Sequence, residues 1–377
     1  MRLEVVDDPV ALFRALMQVH GLNNKQLARR AGVHPTTVGR FLDESHIPRL
    51  GTLFQLASVF FPDERIACWL AGALIARECR AAKRRLDEDL RTPREALAVA
   101  ASALHTGKPL RALPALYRAD QLARASGDVK AIGTVLLYTA HTYDALGATE
   151  PASACYRDAK AAFRQLGLEL AHLKASVSHV VLIAEEGCPH DASVLAGHLL
   201  ARCEEVAGRA DAASLADPLD PSRPWVVESR QGWLQLARGI AAQRDQDVVG
   251  AAEAFDAALR YFALAREREP PLKAATQILW AEVHACRHRA LHMCGPEELP
   301  DFLHTLERLA HRASAGLPGG ASDHESEVLA RLALFEATGT EASGFQAEFC
   351  AKQHHLGKLL FRVRRALRTR GRRVGAA

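Results

Sequence analysis

Between Leu22 and Ala57 the chain reads LNNKQLARRAGVHPTTVGRFLDESHIPRLGTLFQLA. Asn23 is a good helix N-cap, and Gln26 stands three residues on, the spacing at which a side chain reaches back to the cap's own N–H. Leu27 and Ala28 follow on the inward side. Ala31-Gly32 ends this short helix, and Gly32 can take the left-handed backbone of a tight turn. Val33 plugs the turn and His34 occupies the next cap position. Pro35 fits the first turn of the second helix, where its missing N–H costs nothing. Val38 with Phe41 or Leu42 faces inward, which leaves Thr36, Thr37, Gly39 and Arg40 outward near the helix N-terminus. Ala28 is small enough for the two helices to cross closely, and that crossing makes the second helix protrude.

This stretch resembles the DNA-binding domain of the lambda/434 repressor and Cro class. The match runs without a gap from about Val10 through Leu12, Phe13 and Leu16. It continues across Gln26-Leu27-Ala28 and Ala31-Gly32-Val33 to Pro48, Leu50, Thr52, Leu53 and Leu56-Ala57. It covers residues 1–62 and nothing later. The resemblance implies that Asn24 and Thr36 touch phosphate or base edges, and that Thr37, Gly39 and Arg40 lie along a major groove. Arg40 is the candidate for a bidentate contact to guanine. Arg29, Arg49 and His46 would meet the DNA backbone, which positions a domain without specifying sequence. The sequence departs from the class at informative places. His34 stands where Ser or Thr is usual, Pro35 where a polar base-reader is usual, and Arg49 where a capping Ser is usual. With Pro35 and Gly39 offering little hydrogen bonding, base readout is expected to be thin, leaving more to shape readout or dimer spacing.

Composition bounds the remainder. A 377-residue chain that is 49% hydrophobic is long and apolar enough for several packed domains. Ala, Leu and Arg dominate and β-branched runs are short, so an all-α fold is expected. The net charge of +4 hides an asymmetry. From Lys352 onward stand Lys352, Lys358, Arg362, Arg364, Arg365, Arg368, Arg370, Arg372 and Arg373 with no acid among them. Eight cysteines occur without any C-x-x-C pair, which reads as reduced thiols rather than a disulfide framework. No signal-peptide pattern opens the chain, and the apolar stretches are too short to span a bilayer, so a cytoplasmic protein with no membrane partner is expected.

Residues 63–90 read as one connector helix. From Thr92 a repeat is expected, with Lys108, Gly147 and Gly187 at turns and Tyr117, Tyr156 and Ala196 nine residues after each; the steps are 39 and 40 residues. In the middle copy Leu136, Ala140, Tyr143, Gly147, Ala152, Tyr156 and Ala159 stand at the offsets of a tetratricopeptide repeat, and a weaker unit runs from Trp233 through Gly239, Ala251, Phe255 and Ala258. These stretches resemble degenerate tetratricopeptide repeats, which imply an α-solenoid over 91–213 and 225–377. Between them, 214–224 carries Pro218, Pro221 and Pro224 and reads as a loop. Further helices are expected over 225–246, 248–268, 271–293, 296–314, 322–338 and 341–370.

By repeat position, Ser102, His105, Thr134, Leu137, His141 and Asp144 are expected to line a concave face, with Trp233 and Gln243 further on. A Cro-type head on such a body is similar to peptide-pheromone receptor regulators. That implies a peptide, protein or other effector on the concave face and a homodimer on two half-sites of double-stranded DNA. One departure counts against a peptide. Those receptors commonly clamp peptide backbone with Asn, and here the only Asn residues are Asn23 and Asn24. His284, His288 and His292 recur at i, i+4 and i+8, a spacing that suits zinc, but no H-E-x-x-H base accompanies them, and no metal or other cofactor is expected. No P-loop, nucleophile elbow or dinucleotide fingerprint is present, so no enzyme is expected. The basic C-terminal helix is amphipathic and is expected to cap the solenoid with its apolar side. The alternative to a DNA-binding regulator is an interaction scaffold whose head binds no DNA.

Overall fold

The computed structural model describes residues 9–43, 50–57, 59–60, 90–105, 109–209, 216–217, 220–318, 322–354 and 356–374. The connector expected over 63–90 lies, but for Leu90, outside them. The chain forms two compact units. One comprises Met1–Ala154 with Lys352–Phe361, the other Cys155–Ala351 with Arg362–Ala377. Among the described residues no helix is long and apolar enough to cross a membrane.

The first unit opens with four short helices: α1 (Pro9–Val19), α2 (Asn24–Ala31), α3 (Pro35–Leu42) and α4 (Leu50–Ala57). Their core is built on Phe13, whose ring meets Phe41 edge-on at 5.0 Å and Phe60 at 5.6 Å. Val10, Leu27, Ala28, Val38, Leu42, Leu56 and Ala57 are buried with it. Burial of this many aliphatic and aromatic groups is what holds helices too short to persist alone in water. The unit continues with α5 (Pro93–His105), α6 (Pro109–Ser126) and α7 (Val129–Ala145), and α8 (Thr149–Gln165) begins in it. Thr92 and Glu95 form a capping box at the start of α5: Thr92 Oγ1 accepts from Glu95 N at 3.2 Å, and Glu95 accepts from Arg91 N and Thr92 N at 3.0 Å each. Those backbone donors hold the Glu95 carboxyl below its ordinary range.

The second unit holds α9 (Glu169–Glu186), α10 (Pro189–Ala207), α11 (Val227–Arg244), α12 (Val248–Ala265), α13 (Pro271–His292), α14 (Leu299–Ala315), α15 (His324–Thr338) and α16 (Glu341–Gln353). Consecutive helices from α9 to α15 pack antiparallel on their neighbours, so each hairpin rests on the next. The last helix, α17, spans Gly357–Val374.

A column of small and large side chains recurs through these hairpins. Ala100, Ala112, Leu116 and Ala119 are buried, and so are Ala140, Ala152, Tyr156 and Ala159. The same offsets of 12, 16 and 19 residues recur at Ala184, Ala196, Leu200 and Cys203, and again at Gly239, Ala251, Phe255 and Ala258, all buried. The small positions let paired helices approach; the large one fills the space between them. At Gly239 the approach is so close that a Cβ would lie 2.5 Å from Phe255 Cε1, and at Gly232 it would lie 2.6 Å from Phe262 Cδ1. Turns recur too: Gly127, Gly147 and Gly167 stand 20 residues apart, each with positive φ (67°, 82° and 67°).

Three expectations are corrected here. The 40-residue step that pairs Tyr156 with Ala196 does not hold. Ala196 takes the place of Ala152 and Leu200 that of Tyr156, because α10 has an extra turn at its start: Ala152 is the fourth residue of α8, Ala196 the eighth of α10. The Pro-rich stretch is not all loop. Ala216–Asp217 (β1) pairs antiparallel with Asp220–Pro224 (β2), a ribbon without neighbours on either side in the described residues, where Pro is tolerated because no ladder needs its N–H. The helix expected over 341–370 breaks between Gln353 and Gly357, at a residue type that costs about 1 kcal/mol in a helix interior.

α15 and α16 enclose a polar cluster. Glu327 is buried, accepts from Arg331 Nε at 3.0 Å and Nη2 at 2.9 Å, and lies 3.4 Å from His324 Nδ1. His324 first, then Arg331, pull its carboxyl down to about 2 against the opposing effect of burial. The Cys350 thiol donates to the same carboxylate at 3.5 Å, and burial together with that charge pushes it up to about 12.

Candidate nucleic-acid interface

The geometry of the first four helices follows from local chemistry. Asn23 Oδ1 accepts from Gln26 N and Gln26 Oε1 accepts from Asn23 N, both at 2.9 Å, so two donors at the start of α2 are satisfied reciprocally. Gly32 ends α2 in the left-handed region, φ 66° and ψ 32°, and Val33 N donates to Ala28 O at 3.0 Å. His34 then caps α3: its Nδ1 accepts from Thr36 N at 3.3 Å and from the Thr36 hydroxyl at 2.7 Å. Two donors on Nδ1 place the ring proton on Nε2. Imidazole thus does the work of the usual hydroxyl, and Pro35 follows at the first helical position. At the far end of α3, Asp43 N donates to Gly39 O at 2.8 Å, and the Arg14 guanidinium donates to Leu42 O.

Helix α3 turns about 100° per residue, so Thr36 and Arg40 share one side and Val38, Phe41 and Leu42 the other. Burial agrees: the latter three are core and the former two are exposed. Thr37 and Gly39 flank the exposed side at intermediate burial, and nothing lies within 4 Å of where a Gly39 side chain would begin. The Thr36 hydroxyl already donates to His34, so toward a ligand it offers acceptor lone pairs. On α2, Asn24 and Arg29 are exposed, as are Lys25 and Arg30, two cations that the pattern of the class did not single out. Arg49 and His46 lie outside the described residues. The exposed set is donor-rich and cationic, which is the chemistry that meets phosphates and base edges.

The residues expected on a concave face are placed unevenly. Ser102 is exposed; the side chain of His105 lies outside the described residues. Thr134 and Leu137 are corrected: both are buried, Leu137 at 1% exposure, and the Thr134 hydroxyl donates to Lys130 O one turn back at 2.8 Å. Helix α7 is apolar on more than one side, so repeat position alone could not tell its open face from its packed one. His141 meets Tyr138 edge-on at 6.2 Å. Asp144 receives Lys358 Nζ at 2.7 Å. In the second unit Trp233 packs edge-on against Phe262 at 5.5 Å and Trp280 at 5.9 Å, while Gln243 is half-buried.

The histidines of α13 are likewise spent on packing. His284 lies nearly coplanar with Trp280, 3° between the rings at 5.8 Å, and stacks on Phe255 at 5.8 Å. His288 Nε2 is 2.9 Å from Val248 O, a hydrogen bond that fixes the proton on that nitrogen. Their i, i+4 spacing serves a buried stripe.

The apolar side of α17 is buried, as the sequence suggested. Leu359 and Leu360 are core in the first unit and Val363 in the second. Its cations are partly matched. Lys358 holds Asp144; in the second unit Arg362 holds Glu186 at 2.7 Å and Arg364 holds Glu348 at 2.8 Å. The pairing acids come from distant sequence, which is why the run looked wholly unbalanced.

The second unit also carries a groove of about 480 Å³ between α10, α11 and α12, floored by Gly197, Ala201 and Gly250 and flanked by Gln235, Arg238 and Tyr261. Sequence reasoning missed it; the small residues at 197, 201 and 250 were its only local signal.

No protein-family model and no curated protein matches the chain.

Proposed function

We propose that this protein is a cytoplasmic, sequence-specific DNA-binding transcription regulator. Helix α3 enters the major groove with Arg40 on a guanine edge, and Thr36 and Thr37 reach neighbouring bases. Asn24, Arg29 and Arg49 meet phosphates. The helical body is read as tetratricopeptide-like, a reading supported by the recurrent small, small, large, small column. It joins two copies on two half-sites and takes an effector. One head presents too little surface for tight specific binding, so the dimer is part of the proposal.

The observation that carries this reading is the tight turn. The reciprocal Asn23–Gln26 cap, the left-handed Gly32 and the His34–Pro35 start of α3 together expose Thr36 and Arg40 on the side opposite the core. A turn built this way sets the second helix proud of the domain, as a groove-reading helix must be. The test is selection of bound fragments from sheared DNA of the source genome, with full-length protein and its Arg40→Ala variant side by side at physiological salt. A recurrent motif in two-fold or direct-repeat arrangement, lost in the variant, supports the proposal. Equal enrichment by both proteins refutes the role given to Arg40.

A scaffold reading has its own motivation. Pro35 and Gly39 have no side-chain donors, and the Thr36 hydroxyl is engaged in the cap. Pull-down partners that survive loss of residues 1–62, with DNA affinity no higher than for random duplex, favour that alternative.

A further inference from the structure

Two cation–imidazole pairs lie side by side where α8 meets α9. Lys160 Nζ donates to His179 Nδ1 at 2.9 Å, and Arg164 Nη2 donates to His172 Nε2 at 3.3 Å. Lys160 and Arg164 are one turn apart on α8, and Arg157 precedes them by another. His172 and His179 are two turns apart on α9. Since Lys and Arg only donate, both rings accept on the named nitrogen, and each points a remaining N–H elsewhere. The result is five donor groups on two facing helices. His179 is buried beneath the Tyr156 ring, 5.6 Å away, and Lys160 and His172 are half-buried.

No carboxylate joins them. The acids of α9 are engaged elsewhere: Glu169 with Arg202 and Arg209, and Glu185 and Glu186 with Arg362. On α8, Asp158 lies about 100° around the helix from Arg157 and forms no ion pair with these cations. The charge of the cluster is therefore unbalanced, and its groups feel it. Burial first, then Lys160 and Arg157, push His179 down to about 4; burial, then Arg157 and Arg164, lower Lys160; burial, then Arg164 and Lys160, lower His172. Burying like charges together costs stability unless an anion relieves them.

We propose that Arg157, Lys160, Arg164, His172 and His179 form a binding site for a small phosphate-bearing anion of the diphosphate type. The spacing favours it: Lys160 to Arg164 is about 6 Å of helix rise and Arg157 to Arg164 about 10 Å, a reach that suits two adjacent phosphoryl groups. The donors suit it as well, since a guanidinium, an ammonium and imidazole N–H groups all match phosphoryl oxygens. Recessed Lys160 and His179 argue against a duplex backbone, which is met by exposed cations. This inference is independent of the DNA-binding reading.

The test is calorimetric titration of the full-length protein with inorganic pyrophosphate at constant ionic strength, with orthophosphate and ADP in parallel arms. The Lys160→Met/Arg164→Gln double variant is run beside it, and Arg209→Gln serves as a control outside the site. Saturable binding is expected. The double variant should weaken it at least ~10-fold, the loss for one or more charge-assisted bonds, and the control should not. Removing a repelled cation should leave the unliganded double variant with a melting temperature no lower than the parent's. Tighter binding of ADP than of pyrophosphate would identify the source as a nucleotide; the reverse would identify a free diphosphate. The proposal is overturned by linear, unsaturable heats. It is also overturned by equal binding in the double variant, or by random duplex DNA binding through these residues when pyrophosphate does not. Imidazole NMR gives a second readout: pyrophosphate should move the His179 ring titration to higher pH, and an unmoved ring counts against the site.

Discussion

The backbone of Gly239 lies against the ring of Phe255, with 2.5 Å between Phe255 Cε1 and the place a Cβ would occupy. Both residues are fully packed, so the ring cannot swing aside. Gly239→Ala is therefore expected to destabilise the protein by about 1–3 kcal/mol despite alanine's better helix propensity. Urea denaturation of the two proteins decides it; a variant as stable as the parent would mean that the α11–α12 contact is looser than described.

His34 is the cap of α3, and the cap is what fixes the exposed face of that helix. His34→Ala should cost about 1 kcal/mol, whereas His34→Ser should recover most of it, because a hydroxyl can accept from the same backbone N–H. Thermal melting of the three proteins is the measurement. Serine behaving like alanine would show that the ring's packing, and not its Nδ1, matters.

Arg40 is exposed on α3, opposite the core. Arg40→Ala should leave the melting temperature unchanged within a degree or so while weakening binding to the selected site by about 1–3 kcal/mol and relaxing preference at one base pair. Competition titrations against single-base variants of that site read both effects. A drop in melting temperature would instead give Arg40 a structural duty.

Glu327 makes stability depend on acid. Its carboxyl ordinarily titrates at 4.5 and here is held to about 2. The unfolded chain therefore takes up the proton first as pH falls. The stabilisation is complete above 4.5, declines between 4.5 and about 2, and is gone below, amounting at most to about 3 kcal/mol. Denaturation midpoints from pH 6 to 2.5 should fall less steeply for Glu327→Gln than for the parent. Parallel slopes would remove Glu327 from the account.

What the sequence revealed was mostly local. Asn23 with Gln26, Gly32, and His34 with Pro35 each act within four residues of their own position, so their roles could be read directly. The column offsets at Ala140, Ala152, Tyr156 and Ala159 were also legible, because helix periodicity fixes them. Less could be read where distant chain segments decide. Asp144 looked like an open-face acid until Lys358 was placed beside it, and the α13 histidines looked like ligands until Trp280 and Phe255 covered one of them. Thr134 and Leu137 were misplaced because α7 is packed on several sides. The ladder of Lys160 with His179 and Arg164 with His172 depends on how two helices face, which single-helix spacing does not state.

The extra turn in α10 has a consequence for how the length of this chain can change. Inserting four residues advances a helix by slightly more than one revolution, so the residues beyond it face within about 40° of where they did before. Ala196, Leu200 and Cys203 thus meet their neighbours as Ala152, Tyr156 and Ala159 do, although the count along the chain has slipped. A two-residue insertion at the same place would turn them through about 200° and point the small positions at solvent. Length variation within these helices is therefore tolerated in steps of whole turns, while the connections between them can grow by any amount, as the 55 residues separating Ala184 from Gly239 illustrate.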